Sequence, residues 1–400
     1  MAEMGIKQIR TTHAGALPRS AGLTKMIRDR SAGGAVDEAF LEHMLSREVA
    51  EAVRLQRDCG LDSINDGELS KSNFMHYITE RVSGIEVRQY AYGDGPTPLS
   101  ITARDKKKFP DYFVGGRGGF ASGRKEATRP TIRQHVCVEP LQYIGHYGVE
   151  ADIRRFSAVL AESADGTQFL PSVALGVIEH WVTNEYYGSQ QDFLYAIADM
   201  MRKEYLAIID AGFMLQIDDP DLADGWQMYP DMSVADYRKY AMLRVDALNH
   251  SLRGIPREKI RIHVCWGSYH GPHEFDLPLK EVVDVLFRVN AREFSIEAAN
   301  PRHEHEWQVF EDFHLPDDTI LIPGVVGHCT DFIEHPELVA QRLVRYANLV
   351  GGENLMAGTD CGLGNRTATP SIAWAKLNSL VEGARIASRI IWPSTAAAIG

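Results

Sequence analysis

The chain has 400 residues, 44% hydrophobic and 24% charged, which is ample apolar material for a large buried core. Its formal net charge of -12 opposes binding to nucleic acid or an anionic membrane. No run approaches the roughly 20 apolar residues of a membrane span, Met1 to Arg10 lacks the apolar stretch of a signal peptide, and five scattered cysteines do not make a disulfide framework, so a cytoplasmic protein is expected.

Strand-like runs alternate with longer helical stretches, the pattern of a β/α architecture. In chain order the predicted strands are Gln8 to His13, Leu61 to Asn65, Phe169 to Leu175, Phe213 to Ile217, Ile260 to Cys265, Glu293 to Glu297, Ile320 to Val325 and Leu355 to Thr359. Between them, Glu38 to Arg57, Gln191 to Asp210, Val234 to His250 and His335 to Val350 return apolar residues every three or four positions, as amphipathic helices do. These elements predict an α/β fold, a (β/α)8 TIM barrel. The length exceeds the ~250 residues of a plain barrel, and the surplus lies between the second and third strands, from Ser83 to about Glu150. This excursion is expected to be partly a β-hairpin around Arg133 to Tyr143 and to cover the barrel mouth or a subunit interface. Within it, Lys106, Lys107 and Lys108 read as a solvated charge run, and Arg117 and Arg124 as better candidates for touching an anion. There is no internal repeat and no second core, so residues 1–400 are read as a single barrel domain.

Three of the strands end in residues suited to a metal: Ile260-Arg-Ile-His-Val-Cys265, Glu293-Phe-Ser-Ile-Glu297 and Leu355-Met-Ala-Gly-Thr-Asp-Cys361. In a parallel barrel such ends all point to one mouth. His263 and Cys265 stand two apart, so on a strand they share a face and reach one ion together. Glu297 and Cys361 complete a tetrahedron. Zinc accepts this mixture of N, S and O donors, and is expected over iron or copper. A buried cysteine is ordinarily a small apolar residue and a strand-end acid an ordinary loop residue. The metal is favoured because three separate runs deliver suitable residues to the same end. A free thiol, with a pKa near ~8.5, is mostly protonated at neutral pH, whereas coordination to zinc deprotonates it. Glu297 is expected to be the exchangeable ligand, since zinc prefers soft sulfur.

Thr11-Thr-His-Ala-Gly-Ala-Leu-Pro-Arg19 resembles the opening strand and turn of the catalytic barrel in cobalamin-independent methionine synthases and their single-barrel relatives. Asn65-Asp-Gly-Glu68, followed by Phe74, Tyr77 and Gly84, resembles the second-strand motif of that family, and Gln216-Ile-Asp-Asp-Pro220 its acidic fourth-strand motif. The set His263, Cys265, Glu297 and Cys361 matches the family's zinc ligands position by position, so the resemblance spans most of the chain and is weakest in the excursion.

The resemblance implies an enzyme of methionine biosynthesis. It would hold a small thiol, homocysteine first, as a zinc thiolate and transfer a methyl group to its sulfur from a 5-methyltetrahydrofolate-type donor. Glu68 and Asp218 would face the substrate ammonium, and backbone N–H groups around Gly15 and Ala16 would face its acid group. In a blander reading Asp66 and Asp219 take the acids' role. His13, Arg19 and Asn184-Glu-Tyr-Tyr187 are expected at the mouth without assigned roles. Two departures concern the donor: His328 lies one position from the family's proton-donating histidine, with Cys329 in that place, and Trp181 falls a few residues beyond the pterin-stacking position. The expected partners are therefore a small thiol and a methyl or alkyl donor, with a homo-oligomer expected from family habit. Two other readings stay open: alkyl transfer to another thiol, as in epoxyalkane:coenzyme M transferases, and a noncatalytic barrel that binds a small molecule.

Overall fold

The computed structural model describes residues 7–74, 76–91, 99–113, 131–160, 167–364 and 366–393. Seven strands form a parallel sheet in the order β1 (Arg10–Thr11), β10 (Met356–Thr359), β9 (Ile320–Val326), β8 (Glu293–Glu297), β7 (Ile260–Val264), β6 (Met214–Asp218) and β4 (Phe169–Val173). The eighth place, between β1 and β4, is taken by residues 61–65. Asp62 and Ser63 donate their N–H groups to the Thr11 carbonyl at 3.1 and 3.0 Å, and Phe169 donates to the Ile64 carbonyl at 3.1 Å. The predicted second strand thus sits where expected without forming a regular ladder. The Asp62 carboxylate accepts from both the N–H and the hydroxyl of Thr11, each at 2.8 Å, and so takes bonds that a strand would give to backbone. The result is a TIM barrel.

Strand residues alternate between the two faces of the ring. Register pairs Gln216 with Arg261 and Arg261 with Glu293, then Asp218 with His263 and His263 with Ser295. The interior is therefore layered: Arg261 and Glu293 below, His263 and Ser295 above them, Glu297 and Cys265 at the mouth. The outward residues Ile260, Ile262, Val264, Phe294 and Ile296 are buried beneath the helices. Helix Glu38–Cys59 shows how the sequence builds that outer layer. Asp37 caps it by accepting from Phe40 N–H, Leu41, Leu45, Val49 and Val53 face inward, and Gly60 ends it at φ 86°.

The excursion is a long antiparallel pair, β2 (Val82–Ala91) with β3 (Thr131–Tyr143), to which β5 (Val182–Asn184) adds in parallel. It ends before the predicted Glu150, because His146–Leu160 is a helix packed against helices Glu38–Cys59 and Gln190–Asp210 of the outer layer. Within it, helix Ala103–Lys108 packs against helix Asp221–Met228. Arg104 stacks 3.5 Å over the Trp226 ring and donates to the Trp226, Tyr229 and Met232 carbonyls at 2.8, 2.7 and 2.9 Å. Lys107 and Lys108 are exposed and face Asp231 and Glu274, as a solvated run would. Arg117 and Arg124 lie outside the described residues. Among the described residues no helix is long and apolar enough to cross a membrane.

Arg261, 1% exposed, donates to Glu293 at 2.7 Å. Removing one partner of such a pair strands a buried charge. Glu293→Ala is expected to lower stability by about 3–5 kcal/mol, and Arg261→Met combined with Glu293→Leu to restore most of it. Urea denaturation of the three proteins measures both effects.

Candidate metal centre and substrate cavity

The ligand atoms of His263, Cys265 and Cys361 lie within 4.8 Å of one another at the ends of β7 and β10. Ser295 Oγ sits 3.0 Å from His263 Nδ1, which fixes the ring, while Nε2 is buried with no hydrogen-bond partner among the described residues. Burial presses the His263 pKa down, and the neighbouring Cys361 sulfur more than reverses this. The bond to Cys361, with burial, pushes the Cys265 thiol well up, and the same bond, with His263, holds Cys361 well below the usual thiol range. Ser268 Oγ adds a donor to Cys361 Sγ at 3.1 Å. A buried ring nitrogen without a partner is costly; here it has the Cys265 and Cys361 sulfurs within 4.8 Å. Soft sulfur with imidazole is a donor set that fits zinc, and three protein ligands leave a fourth position for an exchangeable group.

Glu297 is not part of this cluster. Its Oε1 accepts the Trp266 N–H at 3.2 Å and its Oε2 accepts from Asn300 Nδ2 at 3.0 Å. A swing toward the cysteines would leave the Trp266 N–H buried without an acceptor, a cost of about 1–3 kcal/mol.

The cluster opens into a cavity that also holds Glu68, Lys71, Asp218 and Ala16. Asp218 Oδ1 accepts from Gln216 Nε2 at 2.8 Å. Burial and the Glu68 charge raise the Asp218 pKa to about 7, against the pull of His263, Lys71 and Gln216. Glu68 stands at φ 55°, a strained conformation for a residue with a side chain, its N–H held by Asp66 Oδ1 at 2.9 Å. Its carboxylate faces Lys71 Nζ at 3.3 Å and lies so close to Gly15 that a Cβ there would stand 2.3 Å from Oε1. Gly15, at φ 135°, does not offer its N–H to the cavity, because it donates to His13 Nδ1 at 3.2 Å.

That bond gives His13 a role the sequence did not supply. Gln56 uses its amide N–H groups on the Ala52 and Asn65 carbonyls, so its Oε1 accepts from His13 Nε2 at 2.8 Å. His13 is therefore the neutral tautomer with a lone pair on Nδ1, and burial lowers its pKa to about 4, helped by Arg261. Arg19 reaches the cavity and donates to the Lys71 carbonyl at 2.7 Å. Trp181 also lines the cavity, edge-on to His76. Asn184–Tyr187 do not; Asn184 Oδ1 caps the Tyr186 and Tyr187 N–H groups instead. His328 is buried outside the cavity, with Cys329 Sγ 3.3 Å from its Nε2. Asp66 and Asp219 do not line the cavity either. Sequence reasoning missed Lys71, His180, Asp221, Asp224, Ser268 and Arg366 on the cavity wall. Asp221 and Asp224 follow directly from Gln216-Ile-Asp-Asp-Pro220, where a helix starting at Asp221 carries both acids toward the same mouth.

A barrel with a sulfur-rich cluster at the carboxyl ends of its strands, under a mostly apolar cavity, defines a class of small-molecule enzymes. Residues 176–386 match the family model of the cobalamin-independent synthase catalytic domain. The methionine synthase of Thermococcus kodakarensis is 23% identical over 381 residues, covering 95% of this chain and 93% of that protein. That of Sulfolobus acidocaldarius is 24% identical over 381 residues, covering 94% and 91%. The fold is shared with a B12-independent methionine synthase from Shewanella sp. W3-18-1, solved with selenomethionine, at a TM-score of 0.68 and 16% identity over 96% of this chain and 99% of that one. The chain belongs to the cobalamin-independent methionine synthase family of methyltransferases.

Asp218 supplies a test of the site's electrostatics. Its folded pKa of about 7 lies above its ordinary 3.8, so the cost of ionising it is absent below 3.8 and grows until the pH passes 7. Metal-free protein is expected to lose about 2–3 kcal/mol of stability from this group between pH 5 and pH 7. Asp218→Asn should flatten that slope in urea titrations at the two pH values.

Proposed function

We propose that the protein is a zinc-dependent S-methyltransferase that binds a small aminothiol, homocysteine first, and receives a methyl group on its sulfur. The observation that carries this reading is the cluster of His263, Cys265 and Cys361 opening onto a cavity that also holds Glu68 and Asp218. His263, Cys265 and Cys361 would hold the ion, with Glu297 as the exchangeable oxygen ligand. Bound there, zinc supplies a charge that deprotonates a thiol and keeps the sulfur nucleophilic at neutral pH.

The rest is work for the chain's own residues. Asp218 and Glu68 suit the substrate ammonium: the Asp218 pKa is raised first by burial and then by the Glu68 charge, and a cation between the two relieves that repulsion. The Ala14–Ala16 turn borders the same space as a wall for the acid group, with Gly15 shaping the turn rather than donating. Phe74, Ile101, Val177, Trp181 and Met228 form an apolar wall that suits the donor and excludes water. Trp181 would offer its ring to a flat donor of the 5-methyltetrahydrofolate type. In the transfer the sulfur lone pair forms the S–CH3 bond, the bond from methyl to the donor breaks, and the leaving group keeps that electron pair and takes a proton.

A second reading rests on Arg19, Lys71 and Arg366 in the same cavity: alkyl transfer to a sulfonated thiol such as coenzyme M. One set of variants separates the two. Wild type is expected to hold about one zinc per chain, and Cys265→Ser and Cys361→Ala to lose it; metal analysis that finds full zinc in either variant removes the site. Asp218→Asn is expected to weaken homocysteine by about tenfold or more while sparing coenzyme M. Equal losses by calorimetry would remove the aminothiol preference.

A further inference from the structure

The leaving group of a methyl transfer takes a proton, and neither His328 nor Cys329 lines the cavity to give it one. Apart from His263, His180 is the one imidazole on the cavity wall among the described residues, set in the short helix Leu175–Trp181 beside Val177 and Trp181. Its side chain is 2% exposed. Nε2 lies 3.0 Å from Asp221 Oδ1 and within hydrogen-bond reach of the Tyr240 hydroxyl. Tyr240 spends its own proton on Asp221 Oδ1 at 2.8 Å, so its oxygen accepts from His180. Nε2 therefore carries hydrogen. Nδ1 has no hydrogen-bond partner among the described residues.

The acid behind the ring is firmly held. Arg244 Nε donates to Asp221 Oδ2 at 2.7 Å, the same guanidinium bonds Glu179, and it stacks 3.3 Å over the Tyr240 ring. Glu179 Oε1 in turn accepts from Gln190 Nε2 at 2.6 Å. A side chain at Gly176 or Gly225 would collide with the Asp221 carboxylate, so both glycines leave room for it. A carboxylate fixed in this way orients an imidazole and offsets the charge of a second proton on it. Burial lowers the His180 pKa, Asp221 and Glu179 pull it back in part, and Arg244 opposes them, so the resting ring is neutral and gives up a second proton readily. A buried histidine stacked on a tyrosine is commonly a core residue. This one differs in holding an unpaired ring nitrogen on the wall of a cavity.

We propose that His180 is the proton relay of the transfer: held at Nε2 by Asp221 and Tyr240, it carries a proton on Nδ1 to the leaving group of the methyl donor. The inference rests on the reading of the cavity as a site of S-methyl transfer. Nδ1 takes up the proton that the thiol gives up on becoming a thiolate. The sulfur lone pair then forms the S–CH3 bond, the bond from methyl to the donor nitrogen breaks with its electron pair left on nitrogen, and the Nδ1 proton passes to that nitrogen. Thiol and N-methyl donor become thioether and N–H product, and His180 returns to its neutral form.

The test uses the full zinc-loaded chain, homocysteine and two donors: 5-methyltetrahydrofolate, whose leaving nitrogen takes a proton, and methyl iodide, whose iodide takes none. In His180→Gln, kcat with 5-methyltetrahydrofolate is expected to fall about hundredfold, with KM and the methyl iodide rate each within about threefold of wild type. Asp221→Asn, which keeps the shape and removes the charge behind the ring, is expected to lower the same kcat about tenfold. Nitrogen NMR of the wild type, which needs no variant to fold, is expected to show Nε2 of His180 protonated and Nδ1 bare at pH 8. Equal losses with both donors, a loss confined to KM, or the opposite tautomer overturns the relay and leaves the methyltransferase reading standing. So does a wild type that accepts methyl from methyl iodide alone. A wild type that methylates homocysteine from neither donor overturns that reading, and the relay with it.

Discussion

The ion pair of Arg261 with Glu293 on the barrel floor is the interaction on which the site above it depends. A guanidinium brings five donors in one plane, and here they span the ring: Glu293 on β8, Thr12 beyond β1, Gln216 on β6 and Ser63 in the eighth place. A buried cation so tied fixes the register of the strands that meet it. Register in turn decides chemistry, because a slip of one residue would send His263 and Cys265 to the outer face among the helices. The same charge reaches the mouth by a second route. Arg261 helps keep His13 neutral, neutral His13 receives the Gly15 N–H, and the Gly15 turn leaves room for the Glu68 carboxylate.

Above that floor the barrel gathers more negative charge than it balances. Asp224 and Asp360 are buried acids whose pKa values are pushed well up, first by burial and then by neighbouring carboxylates. Asp218 joins them, and the Cys361 thiol is held well below its usual range by Cys265 and His263. Lys71 neutralises part of this beside Glu68, and the imidazolium rings of His273 and His303 neutralise part from behind. The unmatched remainder sits at the cysteines and Asp218, where a divalent ion and a substrate ammonium would each find a place. Stability and function pull in opposite directions here, since every acid that suits a cationic ligand penalises the empty site.

Much of this was legible in the sequence, for a definite reason. Strands buried on both faces read as continuous apolar runs interrupted at a period of two, and the interruptions Arg261, His263 and Cys265 mark the barrel interior without further information. Helix limits were legible to within a residue or two because caps such as Asp37 and Gly60 are local signals. The irregular second strand was not, since it depends on Asp62 reaching across to Thr11. The orientation of Glu297 was not either: spacing put it at the strand end, but its carboxylate is bonded by the Trp266 N–H, 31 residues away along the chain, and by Asn300. The Gly15 turn was read as a backbone donor, and only the hydrogen bond to His13 shows that its N–H is already used.

The cavity divides along the same line between strand-borne and loop-borne parts. His263, Cys265 and Asp218 stand at or just beyond strand ends in a rigid ring, and their positions follow from register. The apolar wall comes from elsewhere: Phe74 follows the second-strand motif, Trp181 ends a short helix, and Ile101 belongs to the excursion. That excursion is also tied to the loop after Cys265, where Tyr269 donates to the buried Asp105 at 2.7 Å and Tyr112 to the His270 carbonyl at 2.6 Å. Loops and insertions tolerate change that a closed barrel does not. The half of the cavity that holds the cysteines is therefore constrained by the fold, whereas the apolar half is built from segments free to differ, and it is there that Trp181 departs from the family pattern.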